Sequence, residues 1–193
     1  KGKIPNIPVY MDSPMGNNVL DIFHHNTAWH KLPVNDCNEM CKDIRKVETI
    51  EETYKLVKQK GLKIVIAGSG MASGGRVLTY MQQYLGDAKA TILLVGYQAE
   101  GTRGRQLLDG IKEIKLLGQF YKVNAEIKNI EGLSAHADQN GLLDWLSNIK
   151  KAPERIFIVH GESQSADAFR VKLKDVYGWN AEIPVLNEIV KID

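Results

Sequence analysis

Short apolar runs and helical periods alternate along most of this chain, and their order suggests its architecture. Residues 7–11 (IPVYM) form an apolar run closed by Asp12-Ser13-Pro14, the pattern of a buried strand running into a turn. Residues 17–26 carry a helical pattern, whereas 30–43 are irregular and polar and yield no assignment. Within 49–60, Ile50, Tyr54 and Val57 recur at helical spacing, and Gly61 follows as a stop signal. Two apolar strands come next, at 63–67 (KIVIA) and 91–95 (TILLV). Each leads through a Gly-rich loop into a helix, at 76–85 and 104–108 respectively. Buried strands alternating with helices predict a parallel, Rossmann-like sheet flanked by helices. Three strand-like pieces at 113–117, 119–123 and 126–130 then predict a β-meander. Beyond it, 139–149 and 163–177 read as helices, and 155–159, 182–186 and 188–192 as strands. The change of character near Asn124 marks the expected domain boundary, dividing the chain into 1–124 and 125–193.

Composition narrows the class only slightly. With 193 residues, 44% of them hydrophobic and 25% charged, the chain is an ordinary globular length. A net charge of +2 is too small to argue for nucleic acid, which would have to meet a local basic cluster. Cys37 and Cys41 stand four apart with no second pair, a poor zinc signature, and are expected to be reduced thiols of a cytoplasmic protein. No apolar run is long enough to span a bilayer, so no membrane partner is expected. The start, Lys1-Gly2-Lys3, reads as cut from something longer.

Four loops carry candidate chemistry. In Gly68-Ser69-Gly70-Met71-Ala72-Ser73-Gly74-Gly75-Arg76, glycines allow tight backbone turns and present N–H groups before a helix start, which favours a phosphate or carboxylate. The loop matches neither a P-loop nor a dinucleotide fingerprint, and a tight connection without ligand explains it equally well. The segment from Gly96 to Arg105 also follows a strand, so both loops should open on the carboxyl edge of the sheet, where ligands gather. Its Arg103 and Arg105 have the fork geometry to clamp phosphates. In Ser134-Ala135-His136-Ala137-Asp138, a histidine two residues before an acid suits acid–base work or a metal, although a lone loop histidine is more often structural. In Val159-His160-Gly161-Glu162, a histidine ends an apolar run, a position suited to ligating metal. His24, His25 and His30 read as surface or packing residues.

Taken together and in order, these segments carry a resemblance that none carries alone. Asp12-Ser13-Pro14-Met15, Ser69-Gly70-Met71 with Gly74-Gly75-Arg76, Gly96-Tyr97-Gln98 with Gly101-Thr102-Arg103-Gly104, Ser134-Ala135-His136-Ala137-Asp138 and His160-Gly161-Glu162 resemble the β-CASP group of metallo-β-lactamase-fold RNA nucleases. That group includes the pre-mRNA 3′-end endonuclease and ribonuclease J. The resemblance implies that 1–124 is most of an inserted β-CASP domain and that 125–193 is the α/β segment returning to the metallo-β-lactamase domain. It implies a zinc-dependent ribonuclease that hydrolyses RNA with two metal ions, with His136 as general acid, Asp138 beside it, and His160 as a zinc ligand. Ser69, Gly70, Arg76, Arg103, Arg105 and Ser134 would meet RNA phosphates.

The implied partners are RNA and an upstream metallo-β-lactamase segment of the same parent chain, and a homodimer is compatible with the pattern. The group's H-x-H-x-D-H cluster is absent from these residues, so the chain by itself should be inactive and should not bind two zinc ions fully. The competing reading from another class is a non-catalytic RNA-binding or scaffold module of the same fold. The presence of both His136 and His160 argues against it, since an inactive copy has no chemical use for either. A small-molecule phosphate-binding α/β domain rests on the Gly68 loop alone.

Overall fold

Strand β1 (Val9–Asp12) is central to the first sheet, and its end is fixed by the residues that follow. Ser13 is extended, as a residue before proline must be, and its Oγ accepts from the Gly16 N–H at 3.1 Å. Pro14 occupies the first position of helix α1 (Pro14–His25), where its missing N–H has no bond to lose. The helix therefore begins three residues before the expected start, and the expected turn is its cap.

The computed structural model describes residues 5–133 and 135–192 of the chain, which packs as two units, Lys1–Leu133 and Ser134–Asp193. In the first unit the irregular segment resolves into helix α2 (Val34–Asp43) and strand β2 (Ile44–Lys46). Helix α2 escaped the sequence pattern because Cys37 is its only buried residue, leaving no apolar stripe to read. Helix α3 (Ile50–Lys58) opens with a capping box in which Thr49 and Glu52 each bond the other's backbone N–H. Strand β3 (Ile64–Ala67) follows, giving a parallel sheet of order β2-β1-β3. The chain thus winds to one side of β1 and then to the other. At that reversal the carboxyl ends of β1 and β3 lie side by side, with Gly68 directly against Ser13.

Helix α4 (Val77–Tyr84) serves both cores of this unit. Its Leu78 and Met81 pack with Leu94 of strand β4 (Thr91–Val95) and with Leu107 of helix α5 (Arg103–Leu108). Its Tyr80 and Tyr84 lie against Tyr10, Val65 and Val57. Strands β5 (Glu113–Leu116) and β6 (Gln119–Lys122) form an antiparallel hairpin whose Ile114 and Leu116 enter the first of these cores.

The expected meander stops at that hairpin. Strand β7 (Glu126–Ile130) leaves β6 and pairs in parallel with β4, from Thr91↔Glu126 to Val95↔Ile130. The reason is local: the N–H groups of Asn124 and Ala125 both donate to the Leu85 carbonyl, and Glu126 N–H donates to Ala90 O, so the chain is turned away before it can pair again. Packing consequently divides the chain at Leu133.

The second unit holds helices α6 (Gln139–Leu146) and α7 (Ser163–Tyr177), joined by the Tyr177 O–H donating to Leu143 O at 2.7 Å. Of the strands expected at 155–159, 182–186 and 188–192, the described residues keep one parallel bridge, Phe157↔Glu182. A strand exists only by pairing, and that bridge with its two flanking hydrogen bonds is all the pairing these segments find.

The sheet end is locked by a buried charge. Asp12 is 0% exposed at the end of β1 and receives Arg76 Nη1 at 2.6 Å on one oxygen and the Tyr80 hydroxyl on the other. Arg76 also donates to the carbonyls of Val47 (3.2 Å) and Glu48 (2.8 Å). Burial, reinforced by the hydrogen bond to Asp12, pushes the Tyr80 phenol far above its ordinary range.

Replacing Arg76 by Met should cost about 3–5 kcal/mol in urea unfolding, because Asp12 would stay buried without its cation. The phenol's folded value lies above its unfolded value of about 10, so its contribution is complete below that pH and declines as pH rises past it. The stability difference between the wild type and Tyr80→Phe, measured against pH, should shrink only on that alkaline side.

Candidate functional site

Two Gly-rich loops make the candidate site, and they meet. The first begins at Gly68, where an added Cβ would stand 2.9 Å from Ser13 Oγ, so this loop passes tightly over the α1 cap. It closes at Gly75, whose φ of +74° and proximity to Gly68 O (2.8 Å from an added Cβ) both require glycine. Inside the loop, Ser69 Oγ accepts the Ser73 N–H at 3.2 Å and Ser69 O accepts that of Ala72.

The second loop is pinned onto the first. Gln98 is 3% exposed, and its Nε2 donates to Gly70 O at 2.8 Å and to Gly96 O at 3.3 Å. Gly104 N–H, in the first turn of α5, donates to Met71 O at 3.0 Å. Any side chain at 104 would collide with Gln98, since an added Cβ lies 1.7 Å from its Oε1. Thr102 caps the helix by accepting the Arg105 N–H. Arg103 then spans the junction, its Nη1 donating to Ser73 O (3.2 Å) and its Nε to Lys115 O (3.0 Å) of the hairpin.

The other expected phosphate contacts are placed differently. Arg105 faces Asp109, with Nε 3.0 Å from one carboxylate oxygen. Arg76 faces inward to Asp12 and two carbonyls, so it holds the loop's end rather than its mouth. Ser134 lies outside the described residues.

In the second unit His136 and His160 are both exposed. Asp138 caps α6, its Oδ1 accepting the Gly141 N–H at 2.8 Å, and so fixes the chain two residues after His136. His160 holds a left-handed backbone, φ +64°, which a non-glycine residue adopts only where its surroundings impose it. Next to it, Gly161 packs close against α7, where an added Cβ would come within 3.2 Å of Ala166 Cβ.

The remaining histidines are structural. His30 stacks on Phe23 with ring centroids 3.8 Å apart, and its Nε2 lies 3.1 Å from Phe23 O. His24 bonds Asn38, and His25 bonds its own helix at Asp21 O. Cys37 and Cys41 form no disulfide, and burial, with Cys37 close by, raises the Cys41 thiol above its usual range.

Among the described residues no group of three His, Cys, Asp or Glu side chains could hold a metal ion. A zinc site takes about three to four protein ligands, so His160 and its surroundings do not by themselves fit one. No helix among them is long and apolar enough to cross a membrane.

The sequence signal that identified neither Asp12 nor Gln98 as a keystone is plain in retrospect. Asp12 is the polar last residue of β1 and Gln98 stands three positions beyond β4, where a buried polar group has backbone ends to satisfy.

The chain is thus an α/β domain with paired Gly-rich loops at strand ends, followed by a unit bearing exposed histidines beside a helix cap and a left-handed turn. Comparison with known proteins makes this specific. The Beta-Casp domain model matches residues 1–107, and the model for a Zn-dependent metallo-hydrolase RNA specificity domain matches 121–184. The transcription termination factor FttA of Pyrococcus horikoshii is 36% identical over 143 residues, 72% of this chain and 22% of its own length. Ribonuclease TTHA0252 of Thermus thermophilus is 31% identical over 168 residues, 84% of this chain and 38% of its own. The RNase J-like protein of Methanocaldococcus jannaschii is 32% identical over 197 residues, 99% of this chain and 44% of its own. This chain belongs to the β-CASP family of metallo-β-lactamase-fold ribonucleases. It spans less than half the length of each of these relatives.

The loop junction makes a checkable prediction. Gly104→Ala should destabilise the chain by about 1–3 kcal/mol, as overpacking does. Combining it with Gln98→Ala should recover part of that loss, a non-additivity readable from urea denaturation of the four variants.

Proposed function

We propose that these residues are the RNA-gripping and acid-supplying part of a zinc-dependent ribonuclease, inactive on their own. The observation that carries the proposal is the junction of the two Gly-rich loops, where Arg103 ties Ser73 O to Lys115 O. Those two bonds hold the guanidinium at the loop junction, and its forked donors are the geometry that makes arginine a phosphate reader. Ser69 and Gly70 would line the same mouth. Arg105 would join only by exchanging Asp109 for phosphate, and Arg76 would act through the loop it anchors. Ser134, two residues before His136 in the sequence, would be a further phosphate contact.

His136 would donate the proton to the leaving oxygen, and Asp138 would set its position through the α6 cap. His160 would give one nitrogen to zinc, with the other ligands from an upstream metallo-β-lactamase segment of a longer parent. The much greater length of the relatives supports that source. Two zinc ions and residues 125–193 as the returning segment belong to the same proposal.

Its test uses the parent protein. His136→Ala should lower RNA turnover by about 10²–10⁴-fold with metal content intact, because a proton donor is lost. His160→Ala should lower metal content as well, read by elemental analysis. Equal metal loss in both variants would remove the division of roles. A parent that binds RNA but neither holds zinc nor cleaves would be a non-catalytic module instead. The 193-residue chain alone should show no RNA hydrolysis and well under one equivalent of zinc.

A further inference from the structure

We propose that the outer face of the β5–β6 hairpin is a stacking platform for single-stranded RNA, with Phe120 as the ring on which a base lies. It rests on the RNA reading above and adds to it a binding surface outside the loop junction.

The register dictates the face. Lys115 pairs with Phe120 and Glu113 with Lys122, so these four side chains share one side of the ribbon, while Ile114, Leu116 and Tyr121 turn to the core. Phe120 is 65% exposed, a ring left in water on a ribbon that is otherwise well anchored. The anchors are Gln82 Nε2 donating to the Tyr121 hydroxyl at 2.9 Å and Val123 N–H donating to Lys112 O at 2.8 Å.

The hairpin tip is tightly turned as well. Leu117 and Gly118 both have positive φ, +46° and +87°, as the tightest two-residue turn demands, although leucine is a poor residue for it. Leu117 is 64% exposed at that tip.

The chemistry around the ring favours a nucleic acid over an apolar partner. Lys115 Nζ stands 5.7 Å from the Phe120 centroid, and Lys122 lies on the same face. The face carries two ammonium groups against one carboxylate, Glu113 opposite Lys122 at the end away from the tip. That positive balance beside an aromatic ring suits phosphates and bases, whereas a protein contact of the usual kind would have few charges at its centre. Position agrees with charge. Arg103 bonds Lys115 O and Ser73 O, so the ribbon lies directly beside the Gly68 loop, and a strand gripped there can run onto the hairpin. Stacking uses the flat face that every base has, so the platform should bind with little sequence preference.

The test measures binding of the 193-residue chain to a fluorescein-labelled oligouridylate, and to an abasic ribose-phosphate oligomer of equal length, across a salt series. Phe120→Leu keeps apolar bulk and removes the π face. It should weaken oligouridylate binding by about five- to a hundredfold with no change of salt slope, since no charge is lost. Binding of the abasic oligomer should not change. Phe120→Trp should bind oligouridylate at least as well as wild type, with indole quenching beyond that of the native tryptophans. Lys115→Gln should instead lower the salt slope by about 0.7. Unchanged oligouridylate binding by Phe120→Leu, or an equal loss on the abasic oligomer, would overturn the platform. So would altered self-association with RNA binding intact, which would make the face a protein contact. If the wild type bound neither oligomer, the RNA reading beneath the proposal would fail too.

Discussion

The Asp12 carboxylate is the constraint on which the rest of the first unit depends. A wholly buried anion costs several kcal/mol of lost hydration, and only close, well-aligned donors offset that. Its donors, Arg76 and Tyr80, belong to the start of α4, so the end of β1 and the start of α4 cannot separate. Arg76 also draws in the Val47 and Glu48 carbonyls, which tie down the chain leaving β2. Asn17 adds a second bond to Val47 O from α1. Three stretches far apart in sequence, at 12–17, 47–48 and 76–80, are therefore tied together around one charge.

The loops inherit their precision from that knot. The Gly68 loop is bounded by β3 and by Arg76, both fixed to β1, and the second loop is then laid on it through Gln98 and Gly104. Helix α4 carries the order onward, because one of its sides faces Tyr10 and the other faces Leu94. A loop that must hold a flexible polymer gains from such a base: each donor already in place loses less entropy when the ligand arrives.

Strong periods made much of the fold legible in the sequence. Strands 63–67 and 91–95 and the helix at 163–177 stand where the pattern put them, because apolar side chains and caps there agree. Helix α2 was invisible because it buries little besides Cys37. Strand β7 was seen, but its partner was not, since pairing was decided by two N–H groups converging on Leu85 O. The strands expected in the second unit failed for want of partners. Within the candidate site, the two Gly-rich loops and the glycines on which the first turns were legible from spacing. The inward turn of Arg76 was not, because only the fold reveals which arginine has a buried carboxylate to meet.

Parallel sheets are ordinarily covered on both faces, and here each shows an uncovered apolar side. Ile64 and Ile66 on β3, and Leu93, Val95 and Ile130 on the β4–β7 pair, all stand well exposed. A reporter dye such as ANS seeks exactly that sort of surface, and its brightening is commonly taken as the mark of a molten state. For this chain the brightening would occur with every tertiary hydrogen bond in place. Dye fluorescence would then be a poor gauge of its foldedness, and near-ultraviolet dichroism the sounder one.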